Sequence, residues 1–282
     1  MALTMFGLRK QLWLFRGSLA GAGRLCSVMA VMFAFPSAQS WSAERMGTSF
    51  FDDFATFDLK RWFVSDGWNS GDFQDCTYSR KALKRIDGAL ELTLSDTPTA
   101  KTPYTCAELQ TKEAAFGYGT YEVKMRAAPG AGLVSGFFVY AGPHPQDEID
   151  FEFLGKDLTT VQLNYYAGGQ GGHEHLARMS VDPSKTPVLL AFDWLPDTIR
   201  WYIDGQLVHE VKRQAGQPFP EKPTKIHLSI WNGKASKEND AWLGRFQYDG
   251  KPLLMTVDHV AFTAQGDACQ FPESVVCSGG IR

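Results

Sequence analysis

The chain has 282 residues, with 28 Lys and Arg against 31 Asp and Glu, so its formal net charge at pH 7 is −3. A weakly acidic chain without basic runs lacks the electrostatic footprint of a nucleic-acid-binding protein. The sequence contains no low-complexity segment, long linker or internal repeat, and its length predicts one large folded domain.

The first 40 residues predict a secretory signal peptide. Four basic residues and no acidic one precede an apolar run at 25–35, which ends at Pro36 and the small residues S-A-Q-S. The run is short for a membrane span, and an uncleaved anchor is the alternative. Cleavage after Ala38 or after Ser40 fits equally well. The mature chain would keep 24 basic and 31 acidic residues, a net charge of −7, and would be secreted, extracellular or periplasmic, without membrane attachment.

Short β-strands separated by turn signals follow the N-terminal region. Strands are predicted at 49–54, 62–64, 105–111, 120–127 and 134–141, and a hairpin at 82–95 turns at Asp87-Gly88.

The next stretch, residues 147–155, carries the chemistry. It reads D-E-I-D-F-E-F-L-G, in which Glu148, Asp150 and Glu152 alternate with apolar residues. This period of two predicts a half-buried strand with three carboxylates on one face. Neighbouring side chains on such a face lie about 6.5 Å apart, so like charges disfavour one another's ionisation. Stability alone would not select this arrangement.

The spacing of the acids suits a retaining glycosidase. Glu148 and Glu152 have Cα atoms about 13 Å apart on a flat strand. On a concave sheet their carboxyls can approach the roughly 5–5.5 Å that retaining enzymes use. One would attack the sugar and the other would protonate the leaving oxygen, while the charges of Glu148 and Asp150 would raise the pKa of Glu152. A solvated acidic face or a cation site is the alternative from these residues alone.

A glycine-rich segment at 167–175 follows a further strand at 160–166. It lacks the Gly-Lys-Ser/Thr of a phosphate loop, which argues against nucleotide binding. His173 and His175 resemble a two-histidine metal pair, but no third ligand is evident, so a sugar-contacting or structural loop is favoured.

The remaining predicted strands lie at 188–194, 225–231 and 254–263, and a hairpin at 198–211 turns at Asp204-Gly205. About a dozen short strands without a convincing amphipathic helix predict an all-β fold, a jelly-roll β-sandwich whose concave sheet can hold a substrate groove.

Four cysteines remain after the signal peptide: Cys76, Cys106, Cys269 and Cys277. An even number in an exported chain predicts disulfides rather than thiols or a metal site. Of the three possible pairings, sequence proximity favours Cys269–Cys277, which leaves Cys76–Cys106.

Many further motifs accompany the acidic strand across the mature chain. They are S-D-G at 65–67, C-T-Y at 76–78, C-A-E at 106–108, G-Y-G-T-Y-E-V at 117–123, F-F-V-Y-A-G-P at 137–143, N-Y-Y at 164–166, G-G-H-E at 171–174, F-D-W at 192–194, W-Y-I-D-G at 201–205, W-N-G at 231–233 and D-A-W-L-G at 240–244. With these motifs the sequence resembles glycoside hydrolase family 16. Within it, the resemblance is to the bacterial lichenases and to a secreted glycanase that shortens succinoglycan. It implies one catalytic domain at 41–282 and endo-hydrolysis of β-linked glucans with retention.

The resemblance also implies residue roles. Glu148 would be the nucleophile, Glu152 the general acid/base and Asp150 their helper. Sugar contacts would come from Glu108, Asn164, Tyr166, Glu174, Trp231 and Trp242, although Tyr166 or Trp231 taken alone would more often be core residues. The chemistry requires no cofactor. A structural calcium ion is expected at the positions matching the Gly88 carbonyl and Asp258, for which a satisfied polar side chain is the alternative.

Two positions depart from the lichenase pattern. Gln110 replaces an Arg, and Gln146 replaces a Trp directly before the acidic strand. Loss of a guanidinium and of a stacking ring should change the glycone subsites. A substituted bacterial exopolysaccharide of the succinoglycan type is therefore favoured over mixed-linkage cereal glucan.

Other functions remain open at this point. A non-catalytic carbohydrate-binding protein could use the same scaffold, but it would not need Glu148 and Glu152 together. A transglycosylase would share the covalent intermediate. The chain is expected to act on a polysaccharide as a monomer.

Overall fold

The computed structural model describes residues 47–142 and 145–279, so the predicted signal peptide at 1–40 lies outside the described residues. The described part contains sixteen strands, a 3-10 turn at Arg80–Ala82 and one α-helix, α1 (Lys237–Leu243). The strands are β1 (Phe50–Asp52), β2 (Trp62–Val64), β3 (Cys76–Tyr78), β4 (Leu83–Ile86), β5 (Ala89–Leu94), β6 (Tyr104–Thr111), β7 (Gly119–Arg126), β8 (Leu133–Ala141), β9 (Asp147–Leu154), β10 (Thr160–Tyr166), β11 (His175–Arg178), β12 (Val188–Trp194), β13 (Thr198–Ile203), β14 (Gln206–Lys212), β15 (Lys225–Asn232) and β16 (Leu253–Ala264).

The strands form two sheets, which confirms the predicted all-β jelly-roll sandwich. One sheet has the order β14-β13-β12-β7-β16-β5-β4, with β1 paired to β16. The other, here called the groove sheet, has the order β11-β10-β9-β8-β15-β6-β2. The short strand β3 pairs in parallel with β6. The acidic strand β9 is therefore a central strand of the groove sheet.

Apolar side chains from both sheets fill the space between them. Phe151 on β9 is fully buried, and its ring lies 6.4 Å from that of Phe192, which stacks on Tyr121 at 4.8 Å. Burying one such ring contributes about 1.5–3 kcal/mol. Ile149 and Phe153 are equally buried. Because side chains alternate along a strand, this burial forces the carboxylates onto the outer face, as the sequence predicted.

Both predicted Asp-Gly turns are present. Asp87 and Gly88 have φ angles of 51° and 79°, and Asp204 and Gly205 have φ angles of 47° and 79°. Positive φ at both central residues is typical of the type I′ turns that suit the twist of a hairpin. The two turns join β4 to β5 and β13 to β14.

The structure confirms both disulfide pairings. Cys76 and Cys106 join the parallel strands β3 and β6, and Cys269 pairs with Cys277 near the C-terminus. The C-terminal segment also caps a carboxylate on the other sheet: Ser274 Oγ and the Val275 amide donate to Glu122 at 2.6 and 2.9 Å.

Three short elements were not predicted. Helix α1 contradicts the expectation of no helix; it begins after Ser236, whose Oγ accepts from the Asn239 amide, and ends at Gly244, which has a φ of 77°. Seven residues are too few to show a helical period, so only these two caps signal it. Strand β11 begins at His175, which the sequence placed in a loop, and β3 was not predicted as a strand. Within the described residues, no helix is long and apolar enough to cross a membrane.

Candidate active site

A groove of about 790 Å³ lies on the outer face of the groove sheet. Its lining includes all nine predicted catalytic and sugar-contacting residues, namely Glu108, Glu148, Asp150, Glu152, Asn164, Tyr166, Glu174, Trp231 and Trp242. The further lining residues are Trp68, Asn69, Ser70, Phe73, Gln74, Tyr78, Phe138, Tyr140, Gln146, Gln162, His227 and Ser229. Of this second group, only Gln146 was predicted from the sequence to lie at a sugar-binding position.

Strand register positions the three acids in the floor of the groove. β9 lies between β8 and β10, and its groove-facing residues meet partners on both sides. The register aligns Tyr140, Glu148 and Tyr166 in one row, Phe138, Asp150 and Asn164 in the next, and Gly136, Glu152 and Gln162 in the third. From the opposite sheet, the buried indole of Trp201 donates to the Asp150 carbonyl oxygen at 3.2 Å. The acids therefore project from a strand that is held on both edges and from below.

Burial disfavours the charged forms of all three acids. It is the first cause that raises the pKa of Glu148 to about 7 and that of Glu152 to about 8, and the charge of Glu148 is the second cause at Glu152. Burial and both neighbouring glutamates raise the pKa of Asp150 well above its usual range. At Glu152 the pKa is thus raised by burial and by Glu148, and not by the charge of Asp150 as expected from the sequence.

Each outer acid accepts a hydrogen bond from a glutamine amide. Gln146 Nε2 donates to Glu148 Oε2 at 2.9 Å, and Gln162 Nε2 donates to Glu152 Oε2 at 3.0 Å. The position that a Trp occupies in the lichenase pattern thus carries a direct partner of Glu148. Gln162 was missed, although its spacing of two from Asn164 and four from Tyr166 puts it on the same face of β10.

Glu108 lines the groove but is almost fully buried in a hydrogen-bond network. Its Oε1 accepts from Ser65 Oγ at 2.6 Å and from Gln110 Nε2 at 3.1 Å, and His227 Nδ1 lies 3.4 Å from its Oε2. Gln110 also accepts from Lys225 Nζ at 3.1 Å and does not line the groove. The Gln at the position of the pattern's Arg therefore contacts the groove-lining Glu108 without lining the groove itself.

One end of the groove is aromatic. Trp231 packs edge-on against Phe73 at 5.2 Å and lies 5.9 Å from Trp242, while Trp68 meets Tyr78 at 5.2 Å. Phe73 and Trp68 are 43% and 37% exposed, so ring faces are open to a ligand. Such rings suit the C–H faces of sugars.

Asp147, at the start of β9, joins two loops to the groove sheet, a role that the sequence did not show. Asp147 Oδ1 accepts from the Gly168 amide at 2.8 Å, and Oδ2 accepts from the amides of Glu221 and Lys222. These bonds tie two loops to the start of β9. In the first loop, a Cβ on Gly171 would lie 2.3 Å from the Tyr166 ring, so only glycine lets this loop close over that ring.

Comparison with known proteins shows the family of the chain. Residues 70–250 match the family model described as glycosyl hydrolases family 16. The chain belongs to glycosyl hydrolases family 16. It is 47% identical, over 81% of its length and 84% of the relative's, to the endo-1,3-1,4-beta-glycanase ExoK of Rhizobium meliloti (strain 1021).

Two further glucanases are similar to the chain. A beta-glucanase of Paenibacillus macerans is 40% identical over 85% of this chain and 98% of that protein. The crystal structure of a prokaryotic beta-1,3-1,4-glucanase (lichenase) derived from a mouse hindgut metagenome superposes with a TM-score of 0.70 at 40% identity, over 77% of this chain and 99% of that chain. The chain is therefore a glycoside hydrolase, not a non-catalytic carbohydrate-binding protein.

His173 and His175 pack against different aromatic rings in this family 16 fold. The His173 ring stacks on Tyr165 at 3.8 Å, and its Nδ1 lies 2.9 Å from the Tyr165 carbonyl oxygen. The His175 ring stacks on His209 of β14 at 4.0 Å. Among the described residues, no group of three or more His, Cys, Asp or Glu side chains could hold a metal ion. These contacts agree with the structural loop that the sequence favoured.

The expected calcium site combines backbone carbonyl oxygens with one carboxylate, so it does not require three His, Cys, Asp or Glu side chains. Gly88 lies in the turn before β5, and Val257 of β16 pairs with Leu90 of that strand. Asp258 follows Val257 at a β-bulge, where the register of β16 against β7 shifts. A carboxylate and a turn carbonyl at one end of β5 are the oxygen donors that calcium prefers. Calcium binding by Gly88 and Asp258 stays a prediction.

Proposed function

We propose that the chain is an exported, retaining endo-β-1,3-1,4-glycanase that acts on a bacterial exopolysaccharide. The observation that carries the proposal is the row Glu148, Asp150 and Glu152 on one strand in the floor of the groove. The alternation brings two glutamates to the same side of a bound sugar chain, with the spacing that suits a nucleophile and an acid. The endo-1,3-1,4-beta-glycanase ExoK and the beta-1,3-1,4-glucanase (lichenase) to which the chain is similar support the linkage class.

In the first step the Glu148 carboxylate attacks the anomeric carbon, forming a covalent glycosyl-enzyme. The glycosidic C–O bond breaks, and its oxygen takes the proton of Glu152. The raised pKa of Glu152, about 8, keeps that proton in place near neutral pH. The Gln146 amide, which donates to Glu148, favours the ionised form of the attacking group.

In the second step Glu152 is a carboxylate and removes a proton from water. The resulting hydroxide attacks the anomeric carbon, which releases Glu148 and restores the starting protonation of both acids. A second sugar could replace water at this point, so hydrolysis and transglycosylation share the same intermediate.

Export is supported by the N-terminal sequence and by the two disulfides, because such bonds persist in oxidising compartments. Action as a monomer is part of the proposal.

The proposed substrate is a substituted polymer of the succinoglycan type, with lichenan as the alternative. Gln146 lines the groove where the lichenase pattern has a stacking Trp, so one sugar platform is replaced by a polar contact to Glu148. Purified mature protein should be incubated with succinoglycan, lichenan and laminarin side by side, and kcat/KM and product sizes measured. We expect endo-type products and the highest value for succinoglycan; a large preference for lichenan would refute the substrate proposal.

The mechanism is tested by product configuration and by azide rescue. Proton NMR should detect the β-anomer first from a β-linked substrate; an initial α-anomer would mean inversion. Glu148→Ala should lose turnover and yield an α-glycosyl azide when azide is added. Glu152→Ala should yield a β-azide from substrates with good leaving groups, because Glu148 still forms the intermediate. The reverse pattern would exchange the two roles.

A further inference from the structure

Gln162 is a buried amide in the groove that takes no direct part in the two chemical steps. It is 7% exposed and lies directly opposite Glu152 in the β9–β10 ladder. Both of its polar ends have partners. Its Nε2 donates to Glu152 Oε2 at 3.0 Å, and its Oε1 accepts from Trp242 Nε1 at 3.2 Å. Gln162 therefore connects the groove-lining helix α1 to one carboxyl of the catalytic pair.

The indole decides which way the amide faces. A Trp side chain has one N–H and no acceptor, so the atom of Gln162 next to Trp242 must be the oxygen. The NH₂ group is then fixed on the side of Glu152. Since an NH₂ group only donates, Glu152 Oε2 must act as an acceptor in this contact.

The position of Trp242 is itself fixed. The neighbouring Leu243 is fully buried, and its carbonyl oxygen accepts from the Gly132 amide at 2.7 Å. The Ala241 carbonyl oxygen accepts from Lys156 Nζ at 3.2 Å. Helix α1 is thus held on both sides of Trp242, and the indole N–H is a fixed reference for the Gln162 amide.

We propose that the Trp242–Gln162 pair selects the oxygen of Glu152 that carries the catalytic proton, which makes Gln162 a positioning residue for the acid/base. With Oε2 engaged as an acceptor, the proton of the neutral acid resides on Oε1, the oxygen left free to meet the leaving group. The inference rests on the proposed function, in which Glu152 is the acid. Without the amide, the proton distributes over both oxygens and the carboxyl can rotate.

Such a role affects only the step in which the leaving oxygen needs a proton. Aryl glycosides with a dinitrophenyl leaving group depart without protonation, whereas phenyl or sugar leaving groups require it. The value of kcat/KM reports the first irreversible step, the formation of the glycosyl-enzyme. A series of aryl β-glycosides of one oligosaccharide therefore separates loss of proton placement from general damage to the groove.

The test compares Gln162→Leu with Gln146→Leu, its matched control at the other catalytic glutamate. For Gln162→Leu we expect kcat/KM to fall by about 10- to 100-fold with phenyl or sugar leaving groups, part of the 10²–10⁴ that general acid catalysis supplies, and by less than about 3-fold with dinitrophenyl. Gln146→Leu should lower kcat/KM by the same factor across the series, because the nucleophile attacks in every case. Trp242→Phe, which keeps Gln162 and a ring, should show the same leaving-group pattern as Gln162→Leu, and it serves if the latter does not fold.

Equal losses across the series for Gln162→Leu and Trp242→Phe would overturn the inference and leave Gln162 a structural residue. A leaving-group dependence in Gln146→Leu alone would instead mean that Glu148 is the acid. That outcome would contradict the proposed function, and the two failures are distinguishable.

Discussion

Replacing Glu152 by Gln should make the protein more stable at alkaline pH while abolishing its activity as an acid. The substitution keeps the shape of the side chain, and the new amide oxygen can still accept from Gln162 Nε2. It removes a carboxyl whose charged form is disfavoured by burial and by Glu148. The native enzyme therefore carries a free-energy cost at this position that the variant does not.

The sign and size of this cost follow from the pKa. Folding raises the pKa of Glu152 from an ordinary 4.5 to about 8. The folded state then binds the proton more tightly, so its stability is fully present below pH 4.5 and is lost as pH rises toward 8. A rise of that size corresponds to about 5 kcal/mol at full ionisation, an upper bound. Because water reaches the groove side of the carboxyl, we expect roughly 1–3 kcal/mol.

The assay is urea or thermal unfolding of wild type and Glu152→Gln at intervals from pH 4 to pH 9. The difference in free energy of unfolding should be near zero at pH 4, grow through the neutral range and level off above pH 8. Glu174→Gln is the matched control, because it removes an exposed carboxyl from the same groove. A difference that is constant with pH, or that favours the wild type more as pH rises, would refute the assigned cost.

Three other predictions concern stability. Removing the Cys76–Cys106 bond by a double substitution to Ala should lower the free energy of unfolding by about 3–4 kcal/mol, because a closed loop of 30 residues is released; mass mapping that found two free thiols in the native chain would contradict the pairing. Millimolar calcium should raise Tm relative to chelator, and Asp258→Asn should remove that rise; an unchanged Tm in the wild type would exclude the site. Asp147→Ala should lower Tm and weaken substrate binding, because three backbone amides lose their acceptor. Unchanged Tm and KM would show that the two loops keep their conformation without Asp147.

The acidic strand could be predicted in detail because its information is local. Alternation with a period of two specifies a strand, its buried face and its exposed face at once. The Asp-Gly turns are local in the same way, since positive φ angles are requirements of two adjacent residues. These features appear in the structure where the sequence placed them.

The hydrogen-bond partners of the acids could not be predicted because they depend on register. Gln162 meets Glu152 only because the register of β10 against β9 pairs these two residues. A register shift of one residue would point the Gln162 side chain toward the core instead of the groove. The contact of Gln162 with Trp242 requires helix α1, which the sequence did not reveal. The burial of Gln110 depends likewise on Ser65 and Lys225, which are distant in sequence.

The apolar core beneath the groove offsets the free-energy cost of burying the three acids. Three carboxyls on one half-buried face oppose folding at neutral pH, and Asp150 Oδ1 has no hydrogen-bond partner among the described residues. Opposing them are the buried rings on the reverse face of β9 and the Trp201 indole that holds the Asp150 carbonyl. The buried rings of Phe151 and Phe153 contribute about 1.5–3 kcal/mol each, which opposes the cost of burying the acids on the outer face. The alternation along β9 thus places two glutamates in the groove and, between them, the buried apolar side chains that hold the strand in position.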